Sequence, residues 1–145
     1  MITRSIEIER KPEDVFAYLD QLDRHGEWQS TIITTRVETE GPTRVGSRAV
    51  DRRKVPGGPR DIAYEVTEHD PPRRVAFRGV DGPVRPVGSV TVESVGDGSR
   101  SRVTLNLDLQ GHGIGKLFAP LARRQAAKLV PQDQAKLKER LESGM

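Results

Sequence analysis

Three histidines, His25, His69 and His112, are the residues best suited to move a proton near neutral pH in this chain of 145 residues. His25 sits in Asp23-Arg24-His25-Gly26 and His69 precedes Pro71-Pro72, both read as surface positions. His112 lies between Gly111 and Gly113, where a strand pattern gives way to a helix pattern. Glycines on both sides allow close backbone approach, so His112 is a catalytic candidate beside its simpler reading as a polar loop residue. Tyr64 is the other catalytic candidate: it falls in register with Ile62 and Val66, where its hydroxyl either orients a ligand or bonds within a core. Arg48, Arg52 and Arg85 lie on strand patterns. An inward guanidinium there would bind a carboxylate or enolate, although an outward, solvated charge is the commoner outcome.

Other chemistries find no support. The chain has no cysteine, hence no thiolate or disulfide. The histidines are dispersed and the His-Glu-x-x-His pattern is absent, so no metal and no cofactor is expected. Gly111-x-Gly113-x-Gly115 and Gly57-Gly58 lack the strand-to-helix context of a phosphate loop and read as turns. Ser30, Ser89 and Ser94 have no neighbouring base and no nucleophile elbow. The net charge is +3, with a sequence pI of about 9.5. The basic residues are interleaved with acids, and Phe16, Phe77 and Phe118 occupy apolar-periodic positions, so nucleic-acid binding is disfavoured. The N-terminus lacks a signal-peptide core and no apolar run approaches the roughly 20 residues of a membrane span. A cytoplasmic location is expected.

The elements that would position these side chains follow from periodicity. Ile2, Arg4, Ile6 and Ile8 alternate, and the period then changes at Pro12, with Glu13 and Asp14 favouring a helix N-terminus. Trp28, the single tryptophan, follows. Strand patterns cover Ile32 to Glu38, Val45 to Val55, Ile62 to Val66, Val75 to Phe77, Val90 to Val92 and Val103 to Leu109. Turn signals at Pro56-Gly57-Gly58-Pro59 and Gly96-Asp97-Gly98 separate them. From Ile114 the helical face Ile114, Leu117, Phe118, Leu121 runs on to Leu141, with Pro120 and Pro131 expected to distort it. Short turns between strands imply an antiparallel sheet with one face on the long helix.

Several segments carry a resemblance. Ile6-Glu7-Ile8 through Lys11-Pro12-Glu13-Asp14-Val15-Phe16 resembles a strand followed by "P-x-x-V-[WF]". Leu19-Asp20 with Glu27-Trp28 is similar to "L-x-D…W", and Glu68-His69-Asp70-Pro71-Pro72-Arg73-Arg74-Val75 to "E-x-x-P-P-x-R-L". Gly96-Asp97-Gly98-Ser99-Arg100 and Leu137-Lys138-Glu139-Arg140-Leu141-Glu142 resemble "G-x-G-T-R" and "L-K-x-x-L-E". Together they resemble the START-like (SRPBCC) superfamily, in its polyketide cyclase/dehydrase-type branch. The resemblance implies an α+β helix-grip fold over residues 1–145. A curved antiparallel sheet of about seven strands would wrap a long C-terminal helix, with two short helices after the first strand.

It also implies a cavity between sheet and helix. Alternation assigns its lining to Ile33, Val50, Tyr64, Val66, Phe77, Val90, Val92, Leu105 and Leu107, with Phe118 and Leu121 from the helix and Trp28 near the entrance. The leading expectation is a binding protein for a hydrophobic small molecule, lipid-like, aromatic or polyketide-like. A cofactor-free cyclase or dehydratase using Tyr64, an inward arginine and His112 is the alternative. A third reading is an interaction protein using its arginine-rich surface. Monomer and homodimer both remain open, since an exposed edge strand can pair.

Overall fold

The computed structural model describes residues 1–144. Strand β1 (Ile2–Ile8) leads through α1 (Pro12–Leu19) and a 3-10 helix (Leu22–Glu27) to β2 (Ile32–Val37). Then come β3 (Arg48–Val55), β4 (Gly58–Asp70), β5 (Arg74–Gly79), β6 (Val84–Val95), β7 (Arg100–Gly111) and α2 (Gly115–Glu142). The strands form one antiparallel seven-stranded sheet in the order β1-β7-β6-β5-β4-β3-β2. This is the helix-grip fold expected from the sequence: a curved sheet, two short helices after the first strand and a long C-terminal helix.

Pro12 occupies the first turn of α1, where its missing N–H costs nothing, and Glu13 and Asp14 follow it. Val15, Phe16, Tyr18 and Leu19 are buried on one face of α1. They close the main core with Ile8, Val92, Val103, Leu137 and Leu141. Ile8 and Leu137 are 0% and 1% exposed, so each contributes about 1.5–3 kcal/mol of burial. A second cluster of Leu22, Ala49, Tyr64 and Val66 lies beneath the 3-10 helix, with Val75 and Phe77 bordering it.

Helix α2 runs unbroken through Pro120 and Pro131. Its C-terminal half is tied to the first strand and the turn after it: the Gln134 amide donates to the Arg4 carbonyl at 3.1 Å, Lys138 to the Glu7 carbonyl at 2.8 Å, and Arg10 to the Leu141 carbonyl at 2.8 Å. Its first turn sits hard against the β5–β6 turn. A Cβ on Gly115 would stand 1.6 Å from the Pro83 carbonyl oxygen, so only glycine fits there. The buried face of the N-terminal half carries Gly115 and Ala119, both small.

The arginines on the strands are largely consumed by the sheet itself. Glu65 pairs with Arg78 at 2.7 Å and with Arg48 at 3.3 Å, Arg52 with Asp61 at 3.0 Å and Arg74 with Glu68 at 2.8 Å. These cross-strand pairs neutralise part of the positive charge on that surface, with Glu65 shared between Arg48 and Arg78. Strands β1 and β2 are the two sheet edges.

Candidate ligand-binding site

Cross-strand partners point to the same side of a sheet, so the register defines the concave face. Ala49 stands beside Tyr64, Val66 beside Phe77, and Phe77 beside Gly88 and then Leu107. Val75, Val90 and Leu105 form the next row. Tyr64 and Val66 are buried at 7% and 2% exposure, while Phe77, Val90, Leu105 and Leu107 are only half-buried. These side chains make an apolar trough along the concave face, buried at the Tyr64 end and half-buried along β6 and β7. Gly88 shapes it: a Cβ there would meet the Asn106 carbonyl oxygen at 2.3 Å and the Phe77 ring at 3.1 Å, so its absence lets that ring lie over β6.

Polar groups gather at the closed end. Asp51 is 2% exposed and sits one row from Tyr64 on the same face, its partner on β4 being Ile62. Its carboxylate accepts from the Thr35 hydroxyl at 2.8 Å and pairs with Arg53 at 3.2 Å. Arg53 also donates to the Thr31 hydroxyl at 2.8 Å and to the Gln29 side chain. A buried carboxylate paired with a half-buried guanidinium and held by these extra bonds is a satisfied one. Among the described residues the Tyr64 hydroxyl has no hydrogen-bond partner, and neither has the Trp28 indole nitrogen; both atoms are buried. Burial, reinforced by the Asp51 carboxylate, pushes the Tyr64 phenol far above its usual range, so it remains a neutral donor. Its ring packs edge-on against Phe77 at 6.1 Å.

The 3-10 helix supplies the lid over this end. The His25 ring donates from Nε2 to the Leu19 carbonyl at 2.7 Å and packs edge-on against Trp28 at 5.8 Å. Burial holds its pKa below the usual 6.5, so the ring is neutral, with the lone pair on Nδ1. Glu27 fastens the lid to α1 and α2: it accepts from the Tyr18 hydroxyl at 2.8 Å and from Arg140 at 3.1 Å, and within the lid from Arg24 Nε at 3.1 Å. Between this lid and α2 lies a cleft of about 270 Å³, lined by residues that include Trp28, Gln29, Ser30, Asp133 and Lys136. Asp133 accepts from the Ser30 backbone N–H at 3.1 Å, and burial raises its pKa above 3.8.

Of the lining residues expected from alternation, the fold brings Tyr64, Val66 and Phe77 together, with Trp28 and Val90 packed on the adjoining core and Leu105 and Leu107 along the trough. Others stand elsewhere. Val50 points to the convex side, opposite Ala49 and Asp51, where it lines an outer concavity of about 240 Å³ with Thr34, Arg36 and Arg52. On β3 the inward face carries Ala49 with Asp51 and Arg53, while Val50 shares the outward face with Arg48 and Arg52. Ile33 falls in the β2 bulge between Ile32 and Thr34 and is 44% exposed. Val92 is 2% exposed in the core beneath α1 and faces no open space. Phe118 and Leu121 are 46% and 49% exposed, because the small residues of α2 take the sheet side. His112 is an exposed turn residue whose backbone N–H donates to the Pro83 carbonyl, and its ring makes no hydrogen bond among the described residues.

Arg48 and Arg52 belong to the ion pairs of the strands, and Arg85 donates to the Gly82 carbonyl. The arginine held within the fold is Arg53. Its signal was present in the sequence as an Asp51-x-Arg53 spacing, which puts opposite charges on one strand face. His25 is likewise part of the lid rather than a surface residue, and His69 bonds the Asp20 carboxylate at 2.9 Å. Among the described residues no cluster has the make-up of a metal site.

A family model described as polyketide cyclase / dehydrase and lipid transport matches residues 1–142. No curated protein matches the chain. Solved structures share its fold at low identity. One from Thermus thermophilus superposes with a TM-score of 0.75 at 20% identity, over 99% of each chain. The Zhui aromatase/cyclase from Streptomyces sp. R1128 gives 0.74 at 14%, over 95% of this chain and 88% of that one. A START superfamily protein from Mycobacterium smegmatis gives 0.71 at 11%, over 98% and 94%.

Proposed function

Since the chain belongs to the polyketide cyclase / dehydrase and lipid transport family, we propose that it binds a hydrophobic small molecule bearing an oxygen acceptor, aromatic or polyketide-like, in the trough between sheet and α2. The observation that carries this reading is two buried donors without partners among the described residues, the Tyr64 hydroxyl and the Trp28 indole N–H, each set against apolar side chains of adjoining core clusters. Leaving a buried donor unpaired costs about 1–3 kcal/mol, and a ligand oxygen recovers that cost. Phe77, Val90, Leu105 and Leu107 would take the apolar body, since each retains exposed surface to bury.

The test compares two ligands of nearly equal size, acetylnaphthalene and ethylnaphthalene, by calorimetry. The ketone should bind about tenfold more tightly than the hydrocarbon, the worth of one good hydrogen bond. Equal affinities would sink the acceptor requirement, and no binding of either would sink the reading.

A second reading, cofactor-free cyclisation in the same trough, is favoured by His25. A neutral ring with a free Nδ1 lone pair beside Trp28 is a base of the right kind for abstracting a proton next to a carbonyl held by Tyr64. Asp51 is a poorer base, since Thr35 and Arg53 already occupy its oxygens. Loss of turnover of a poly-β-ketone analogue in H25Q, with acetylnaphthalene affinity retained, would support catalysis. Retained turnover would exclude His25 as the base.

A further inference from the structure

Helix α2 presents its largest apolar side chains to solvent. Ile114, Leu117, Phe118 and Leu121 are 67%, 77%, 46% and 49% exposed. Spacings of three and four residues put them on one stripe, leading from the turn into the helix, while Gly115 and Ala119 face the sheet. A stripe of this kind on an otherwise well-packed helix is unpartnered surface.

Its charge is equally one-sided. Between Asp108 and Asp133 the chain carries Lys116, Arg123, Arg124 and Lys128 and no acidic residue. Arg123 is engaged by Asp108 at 3.2 Å. Lys116, Arg124 and Lys128 are exposed and make no ion pair among the described residues. Arg124 and Lys128 continue the line of Leu117 and Leu121 by the same spacing.

We propose that this face, Ile114, Leu117, Phe118 and Leu121 with Lys116, Arg124 and Lys128, docks the protein on an anionic lipid surface, with α2 lying in the plane of the headgroups. The chemistry selects this occupant. Apolar side chains of this size gain by entering the acyl boundary, and long basic side chains beside them reach back to lipid phosphates. A nucleic acid would use the cations and leave Leu117 and Leu121 with nothing to bury them. A symmetric dimer through the same face would set the free cations of one copy against those of the other. No helix here is long and apolar enough to cross a membrane, so the contact is peripheral. This surface is separate from the trough and does not depend on the ligand reading.

The experiment is flotation with vesicles of mixed phosphatidylcholine and phosphatidylglycerol, with pure phosphatidylcholine vesicles as the control. The full chain should float with the anionic vesicles only and be released by salt. Each cation in contact contributes about fivefold in affinity, so K116Q/R124Q/K128Q should weaken binding about a hundredfold. L117Q/L121Q should weaken it at least tenfold with an unchanged thermal melt, since both residues are exposed in the free protein. Failure to float, equal flotation with both vesicle types, or full binding by L117Q/L121Q would overturn the proposal. So would sedimentation velocity showing a dimer that L117Q/L121Q dissolves, or duplex DNA binding that survives L117Q/L121Q and competes with the vesicles.

Discussion

Replacing Tyr64 by phenylalanine separates a structural tyrosine from one kept for a ligand. Tyr64 is 7% exposed and its hydroxyl has no partner among the described residues. A hydroxyl held in apolar surroundings without a bond costs about 1–3 kcal/mol, whereas a bonded one contributes about 1 kcal/mol. Phenylalanine keeps the ring, its packing on Val66 and its edge contact with Phe77. The ligand-free Y64F protein should therefore be more stable by about 1–2 kcal/mol, a rise in Tm of about 3 °C or more for a domain of this size. The same variant should bind acetylnaphthalene about five- to tenfold more weakly, because the ligand loses one hydrogen bond. Stability is read by thermal melts and urea midpoints, affinity by calorimetry. A variant that melts at the same temperature or lower would mean that the hydroxyl has a partner in the free protein and is not kept for a ligand.

Other outcomes follow from the same contacts. Burial holds the His25 pKa below 6.5, so the unfolded chain takes up that proton first; stability is complete above pH 6.5 and falls as the pH drops below it, a slope that H25Q should flatten in urea titrations across pH. Glu27 shows its effect at lower pH: the hydrogen bond from Arg24 holds its carboxyl below 4.5, so its contribution is present above pH 4.5 and is lost as pH falls through the folded value. E27Q should remove that acid-limb slope, and an identical profile would contradict the latch. L137A, at a position 1% exposed, should cost about 2–5 kcal/mol by urea unfolding, and a cost below about 1 kcal/mol would mean that α2 is not clamped on the core. G115A must displace either the Pro83 carbonyl or the first turn of α2, at a cost of about 1–3 kcal/mol, and a neutral result would contradict the close approach.

The strands and helices were legible because their signals are local. The alternation in Ile2–Ile8 and Val103–Leu109, the proline at the start of α1 and the Asp-Gly turn before β7 each act over a few residues. The chain also matches a family model along nearly its whole length. Facing was legible only where polarity and alternation agree. Tyr64, Val66 and Phe77 obey that rule and come together. On β3 it fails, because the buried Asp51–Arg53 pair faces inward and sends Val50 out. On α2 it fails for another reason. The apolar stripe from Ile114 to Leu121 has the period of a core face, but the sheet is approached through Gly115 and Ala119 instead. Which stripe of a helix is buried depends on how closely it must pass its neighbour, and the Pro83 contact that sets this is long-range. The lid could not be read either, since His25, Trp28 and Glu27 gain their roles from Leu19, Tyr18 and Arg140.

On the proposed function, a ligand oxygen that enters the trough takes a hydrogen bond that Tyr64 or Trp28 leaves open. Trp28 is the only tryptophan, so the protein has a single indole N–H resonance, and a nitrogen–proton correlation spectrum reads that atom without ambiguity. Titration with acetylnaphthalene should move this one peak downfield, as a newly bonded donor does, while ethylnaphthalene should leave it nearly in place. An indole peak that stays fixed while the ketone saturates the protein would contradict the account.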